Sequence, residues 1–275
     1  MVKRIVKLIN RVNTGYRRIN HPQIKCSDLV IDLGSGGMPN PRADIACDAI
    51  DADKERADKL SIDRPFVWAN LEHLPFKDQA FDYSILSHVL EHLYNPKASL
   101  DEIQRISSAG YIETPNSFYE YAIPHTYHVS RCTVINDKLY ICFKPRWDDT
   151  LDNNYFDVKH DMNKNWWDLH HLDAIALLTI YRWRGNINYE VKGTPNSFVK
   201  DIPEGVSKEQ HRSLIWRIAT AVIYFWLRPR RKIDLQKILA CPKCGEKLVL
   251  SDSAAVCQKC KTNYPKYKGY YDFRI

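Results

Sequence analysis

Four cysteines near the end of the chain, Cys241, Cys244, Cys257 and Cys260, form a CxxC–x12–CxxC pattern. A dithiol redox site would need one CxxC beside a strand–helix unit, whereas CPKCGEKLVLSDSAAVCQKC is rich in turn formers. A disulfide framework would need an oxidising compartment. The opening MVKRIVKLINRV is basic but has no continuous apolar stretch and no small-residue cleavage site, so it does not read as a signal peptide. The expectation is a cytoplasmic chain with reduced thiols. What remains is a metal cage in which each CxxC holds one side of a tetrahedral ion. Four thiolates leave no open position, so a structural Zn²⁺ is expected. Lys243, Lys247, Lys259 and Lys261 would offset the negative charge of that shell. Cys26, Cys47, Cys132 and Cys142 are isolated and read as free thiols.

A second set of reactive side chains lies between residues 88 and 128. His88, Glu91 and His92 lie at the end of the run FDYSILSHVLEHL, Glu113 stands within GYIETPN, and His125 and His128 lie in IPHTYHVS. Imidazole is the natural base for an un-ionised hydroxyl, and His88 and His128 are the catalytic candidates. Glu91 could orient a histidine or bind substrate. For each histidine the competing reading is a satisfied structural one.

These residues need elements to hold them. LVIDLGSGG (29–37) reads as an apolar strand opening into a glycine-rich turn, where Gly34, Gly36 and Gly37 let the backbone approach a ligand. ADIACDAID (43–51), FVWANLEHLPF (66–76), FDYSILSHVLEHL (81–93) and GYIETPN (110–116) read as four further strands. NPKASLDEIQRI (95–106) carries Leu100, Ile103 and Ile106 on one helical face. The fold class expected is α/β, a doubly wound Rossmann-like sheet with a small C-terminal zinc ribbon. In such sheets ligands sit at the carboxyl ends of the strands, where Asp32, Asp48, Asn70, Ser87 and His88 fall.

Residues 28–116 resemble the class I S-adenosylmethionine (SAM)-dependent methyltransferases, of the type 11-like kind. The resemblance implies that DLGSGG, with Asp32, Gly34, Ser35, Gly36 and Gly37, approaches the amino acid part of the cofactor. It implies that Asp48 holds the ribose hydroxyls, with Asp51 a competing choice. Asn70 and Leu71 would contact adenine, and Ser87 and His88 would lie beside the cofactor. Met38 and Asn70 depart from the family's usual glycine and aspartate.

Residues 117–200 are rich in large aromatics, among them Tyr119, Tyr121, Tyr127, Trp147, Trp166, Trp167 and Trp183. NDKLYICFK reads as a strand and NWWDLHHLDAIALLTIYRW as a helix. The stretch from Glu113 to Lys144 is similar to methyltransferases of surface-polysaccharide biosynthesis, which implies a sugar hydroxyl acceptor. The tail from Ile238 to Phe273 resembles the small zinc-ribbon proteins that activate tRNA, ribosomal RNA and release-factor methyltransferases. It implies a stabilising module attached in cis.

The division expected is a basic N-terminal helix over 1–25, a methyltransferase domain with a substrate-facing insertion over 26–200, a connecting apolar and basic helix over 201–233, and the ribbon over 234–275. Residues 1–25 carry seven lysines and arginines and no acid. Residues 228–275 carry twelve against four acids, so the centre is acidic. Such ends suit an anionic membrane surface, RNA, or the acidic centre itself. SLIWRIATAVIYFWL (213–227), beside RPRRK, reads either as an interfacial segment at the inner face of a membrane or as a buried connector. Three functions stay open: a glycan O-methyltransferase, a tRNA or rRNA methyltransferase, and an inactive SAM-fold binding module.

Overall fold

The computed structural model describes residues 22–37, 39–50, 63–122, 127–144, 174–195 and 231–274, with isolated positions 125, 222, 225–227 and 229. The readings for 1–21, for Asp51 and for Trp147, Trp166 and Trp167 lie outside them.

Strands β1 (Val30–Leu33), β2 (Ile45–Asp48), β3 (Phe66–Trp68), β4 (Tyr83–Ser87) and β5 (Ala109–Pro115) pair in parallel in the order β3-β2-β1-β4-β5. Almost every residue of these strands is buried. That is why they read as continuous apolar runs rather than alternating ones. Helix α1 (Pro96–Ile106) joins β4 to β5, with Asn95 Oδ1 accepting from Ala98 N at its start and Pro96 in its first turn. It buries Leu100, Ile103 and Ile106 against the sheet.

The connection from β1 to β2 is short, Gly34–Asp44, and no described residue in it is helical. Pro39 and Pro41 provide no N–H for a helix there. The buried Arg64 guanidinium pins the loop by donating to Asn40 O at 2.6 Å and Ala43 O at 2.5 Å.

The stretch read as a helix through IALLTIYRW ends instead in a strand. After a short 3₁₀ turn (Ala174–Leu177), β8 (Leu178–Arg184) runs antiparallel to β5. Thr179, Tyr181 and Trp183 are buried while Arg182 and Arg184 are exposed. A two-residue period with branched and aromatic side chains is strand behaviour, and the pairing with β5 decides it. The labels between are β6 (Ser130–Ile135), the expected strand β7 (Lys138–Phe143), and β9 (Tyr189–Lys192), which form a second sheet in the order β6-β7-β9. Helix α2 (Ser117–Ala122) follows β5 directly.

The C-terminal strands continue the main sheet. Strands β10 (Leu248–Leu250), β11 (Ala254–Cys257), β12 (Asn263–Tyr267) and β13 (Tyr270–Asp272) form an antiparallel meander, and β13 pairs in parallel with β3. The result is a ten-stranded sheet whose otherwise open β3 edge is covered. Phe273 N donates to Trp68 O at 2.7 Å and Trp68 Nε1 donates to Tyr267 O at 3.0 Å. A second strap precedes the ribbon: after the turn α3 (Leu235–Ile238), Ala240 N donates to Pro75 O and Lys77 N donates to Ile238 O. Leu74, Phe76 and Phe81 share one buried cluster with Leu239, Cys241, Tyr264 and Phe273. The ribbon therefore has no core separate from the main sheet.

Among the described residues, no helix is long and apolar enough to cross a membrane. Of the 213–227 stretch, Val222 and Phe225–Leu227 are described as helical, with exposed side chains. At these four positions the segment is not a buried connector.

Candidate functional site

The glycine turn begins where β1 ends. Gly34 has φ +68° and donates its N–H to Cys47 O at 2.8 Å, which ties the turn to β2. Gly36, also left-handed, donates to Asp48 Oδ2 at 2.6 Å, while Ile50 N donates to Asp48 Oδ1 at 2.8 Å. Asp32 lies behind the turn, buried, with Asn40 N donating to its Oδ2 at 2.6 Å. Burial pushes the Asp32 carboxyl up to about 7, against the opposing pull of the Asn40 N–H and Arg64. Ser35 Oγ is buried without a hydrogen-bond partner.

Asn70 and Leu71 follow β3. Asn70 Oδ1 accepts from Glu72 N, and Leu71 is buried. Thus Asp32, Gly34–Gly37, Asp48, Asn70 and Leu71 all stand at the carboxyl ends of β1, β2 and β3. An orphaned hydroxyl, two left-handed glycines and a carboxylate at the next strand end form a cradle that fits a nucleoside carrying an amino acid tail.

The next strand ends supply ionisable groups. Ser87 ends β4, and its Oγ donates to Glu113 Oε1 of β5 at 3.1 Å. His88 follows in the left-handed region, φ +56°, a costly conformation for histidine. Its Nε2 lies 3.3 Å from Glu113 Oε1 and its Nδ1 3.4 Å from Glu91 Oε1. Both carboxylates are buried, while the His88 side chain is 37% exposed. The Tyr111 hydroxyl donates to Glu113 Oε2 at 2.5 Å. Burial would raise Glu91, but the contact with His88 and the rings of His92 and His128 bring it below its ordinary value.

His128 is placed differently. It is buried, and its Nδ1 lies 2.7 Å from Glu120 Oε1, which also contacts His125 Nδ1 at 2.9 Å. Lys144 pairs with the other oxygen of Glu120 and donates to His125 O at 2.9 Å. Burial holds His128 below its ordinary pKa despite Glu120. Of the two histidines proposed from the sequence, only His88 is partly open to solvent. Glu120 and Lys144 were not singled out from the sequence. The available signal was Glu120 standing five and eight residues before two histidines, which only a short helix turned onto β6 makes meaningful.

The four ribbon cysteines converge. Their sulfurs all lie within 4.8 Å of one another, with Cys241–Cys260 at 3.7 Å and Cys244–Cys257 at 3.5 Å. A tetrahedron with Zn–S bonds of about 2.3 Å has edges of about 3.8 Å, so the donor set fits zinc. The Thr262 hydroxyl contacts Cys260 Sγ at 3.1 Å and, with the Thr262 N–H and the neighbouring cysteines, holds that thiol below its ordinary value.

Residues 40–112 match the methyltransferase domain family. The match spans β2 to β5, the strand ends that carry Asp48, Asn70, Ser87 and His88. No curated protein matches the chain. Among solved structures, the chain is similar to one from Haloferax volcanii that holds the Trm112 methyltransferase activator in complex with a proposed methyltransferase. Identity is 20% over 38% of this chain and 51% of that one, with a TM-score of 0.30. The YcgJ protein of Bacillus subtilis gives 17% identity over 40% and 55%, with a TM-score of 0.31. Coclaurine N-methyltransferase bound to N-methylheliamine and S-adenosylhomocysteine (SAH) gives 19% over 34% and 33%, with a TM-score of 0.28. The chain spans about half the length of the first two and a third of the last.

Proposed function

We propose that the chain is a SAM-dependent O-methyltransferase acting on a sugar hydroxyl of a surface glycan or glycolipid. The observation that carries it is His88, held in left-handed backbone at the end of β4 between Glu91 and Glu113. A hydroxyl acceptor needs a base, and imidazole flanked by carboxylates supplies one that stays oriented as it takes up a proton. SAM would supply the methyl group. Gly34–Gly37 and Ser35 would hold its amino acid tail, Asp48 its ribose, and Asn70 and Leu71 its adenine. The exposed rings of Phe118 on α2 and of Tyr94 after the His92 turn suit stacking against a sugar.

The ribbon serves this reading as a zinc-closed brace. Its last residues reach the cofactor end of the sheet, where Arg274 donates to Ala49 O at 3.1 Å, next to Asp48. Arg274 also lies 4.6 Å over the Trp68 ring.

Methyl-labelled SAM, incubated with the protein and host extract and followed by separation of RNA, protein and lipid–glycan, tests the reading. Label in lipid–glycan that falls about 10²–10⁴-fold with His88→Ala supports it. Label in RNA would replace the acceptor with tRNA or rRNA. No binding of SAM or SAH by folded protein would leave an inactive binding module.

A further inference from the structure

Beyond the cofactor cradle and the ribbon, the structure gathers a second set of donors. Glu91, His92 and His128 each offer a ligand atom, and these atoms lie within 4.8 Å of one another. Glu91 and His92 belong to the 3₁₀ turn after β4 (Leu90–His92), and His128 precedes β6. The backbone fixes the two segments together, since Val129 N donates to Glu91 O at 2.7 Å.

Each donor is set up by its neighbours. His92 Nδ1 lies 3.2 Å from Tyr127 O, a carbonyl that can only accept, so Nδ1 carries the proton and the lone pair of the neutral ring is on Nε2. His128 Nδ1 faces the Glu120 carboxylate at 2.7 Å, which leaves its lone pair on Nε2 in the same way. Metal-bound histidines are held by just such carboxylate and carbonyl contacts on the other ring nitrogen. Glu91 is 1% exposed, and neither of its carboxylate oxygens makes a hydrogen bond. Its approach to His88 Nδ1, at 3.4 Å, lacks hydrogen-bond geometry. A buried carboxylate in that position calls for a cation.

A second triad, Glu120, His125 and His128, meets the same distance criterion. It is already compensated, because Glu120 Oε1 contacts both imidazoles and its Oε2 pairs with the Lys144 ammonium. An ion there would have to displace Lys144. Glu120 is therefore the outer carboxylate that orients His128, and Glu91 is the ligand.

We infer that Glu91, His92 and His128 bind a divalent first-row transition-metal ion, distinct from the zinc of the ribbon. Two imidazoles and one carboxylate suit manganese, iron, cobalt or zinc and leave coordination positions open. Binding of the ion does not depend on the methyltransferase reading. Its use does rest on that reading: an ion beside His88 would take an acceptor hydroxyl as a ligand and lower its pKa, easing proton removal by His88.

The test uses the full chain with its ribbon zinc in place, without SAM or acceptor. Mn²⁺ is titrated and followed by loss of the free-ion EPR signal, and the bound ion is then examined by electron spin-echo modulation. One saturable site per chain, with ¹⁴N coupling from two imidazoles, is expected. Glu91→Gln, which keeps the shape of the side chain, should weaken binding at least about 10-fold, and Glu120→Gln about 10–100-fold through His128. Absence of a saturable site with both Mn²⁺ and Co²⁺ overturns the inference. So does a bound ion without nitrogen coupling in the wild-type protein, a readout that needs no variant to fold. Failure of methyl transfer with ion binding intact would fall on the proposed function instead.

Discussion

Gly34 joins the glycine turn after β1 to the turn that carries His88 and Glu91, and Gly34→Ala measures that junction. Two costs follow from the structure. The residue has φ +68°, and an L side chain in that region costs about 1–2 kcal/mol. A Cβ built there would also lie 2.3 Å from Val89 Cγ2 and 3.1 Å from Val89 Cγ1, so Val89 must move, at an overpacking cost of about 1–3 kcal/mol. The sum is a destabilisation of about 2–5 kcal/mol. Gly185→Ala is the control, because Gly185 has φ +75° and nothing within 4 Å of its added methyl. It should cost only the torsional part, about 1–2 kcal/mol. Urea unfolding of both variants gives the comparison, and the difference between them isolates the clash. Val89 lies between His88 and Glu91, so Gly34→Ala should also weaken SAH binding and lower turnover in the fraction that remains folded. Gly185→Ala should leave both unchanged. Equal destabilisation by the two substitutions would show that the contact with Val89 is not the constraint on Gly34.

Phe273→Ala removes a fully buried ring packed 5.0 Å from Tyr264, at a cost of about 3–5 kcal/mol, and unfolding followed by CD and by zinc release should remain one transition. Two separated transitions would show that the ribbon folds as an independent unit. On the proposed zinc-closed ribbon, a chelator should lower the melting temperature of the whole chain and weaken SAH binding in calorimetry, because β13 and Arg274 brace the strand ends beside Asp48. Unchanged SAH affinity in the chelated, folded protein would refute the brace. For Asp32 the folded pKa is raised from 3.8 to about 7, so the folded state binds the proton more tightly and stability falls as pH rises through that window. Between pH 6 and 8 the wild type should lose about 1 kcal/mol more than Asp32→Asn, read from denaturant midpoints at the two pH values. Parallel pH profiles for the two proteins would place the Asp32 pKa outside that range.

How much of this was legible in the chain follows from where the information resides. The parallel strands announced themselves, since burial on both faces demands unbroken apolar runs, and Asp32, Asp48, Asn70 and Ser87 mark the polar groups at or just past their carboxyl ends. The cysteine cage was equally local: two CxxC hooks separated by a hairpin's length can close on one ion without help from the rest of the chain. β8 was misread because LLTIYRW admits a helical period as readily as a strand one, and only the facing edge of β5 decides between them. The attachment of the ribbon had no local signature at all. Its decisive contacts join residues some 200 positions apart, the Trp68 indole N–H to Tyr267 O and the Phe273 N–H to Trp68 O, and no local pattern links either pair. The histidine cluster lies between these cases. His88, Glu91, His92 and His128 were each visible as reactive types, but the sequence offered no reason to separate His88 from His128. That separation comes from Glu120, which holds Nδ1 of His128, and from the 3₁₀ turn that brings Glu91 and His92 against the strand following His128. Side-chain chemistry is written along the chain, whereas the sharing of one carboxylate among several imidazoles is a property of the assembled sheet. The experiments that discriminate best therefore perturb Glu91 and Glu120 rather than the histidines between them.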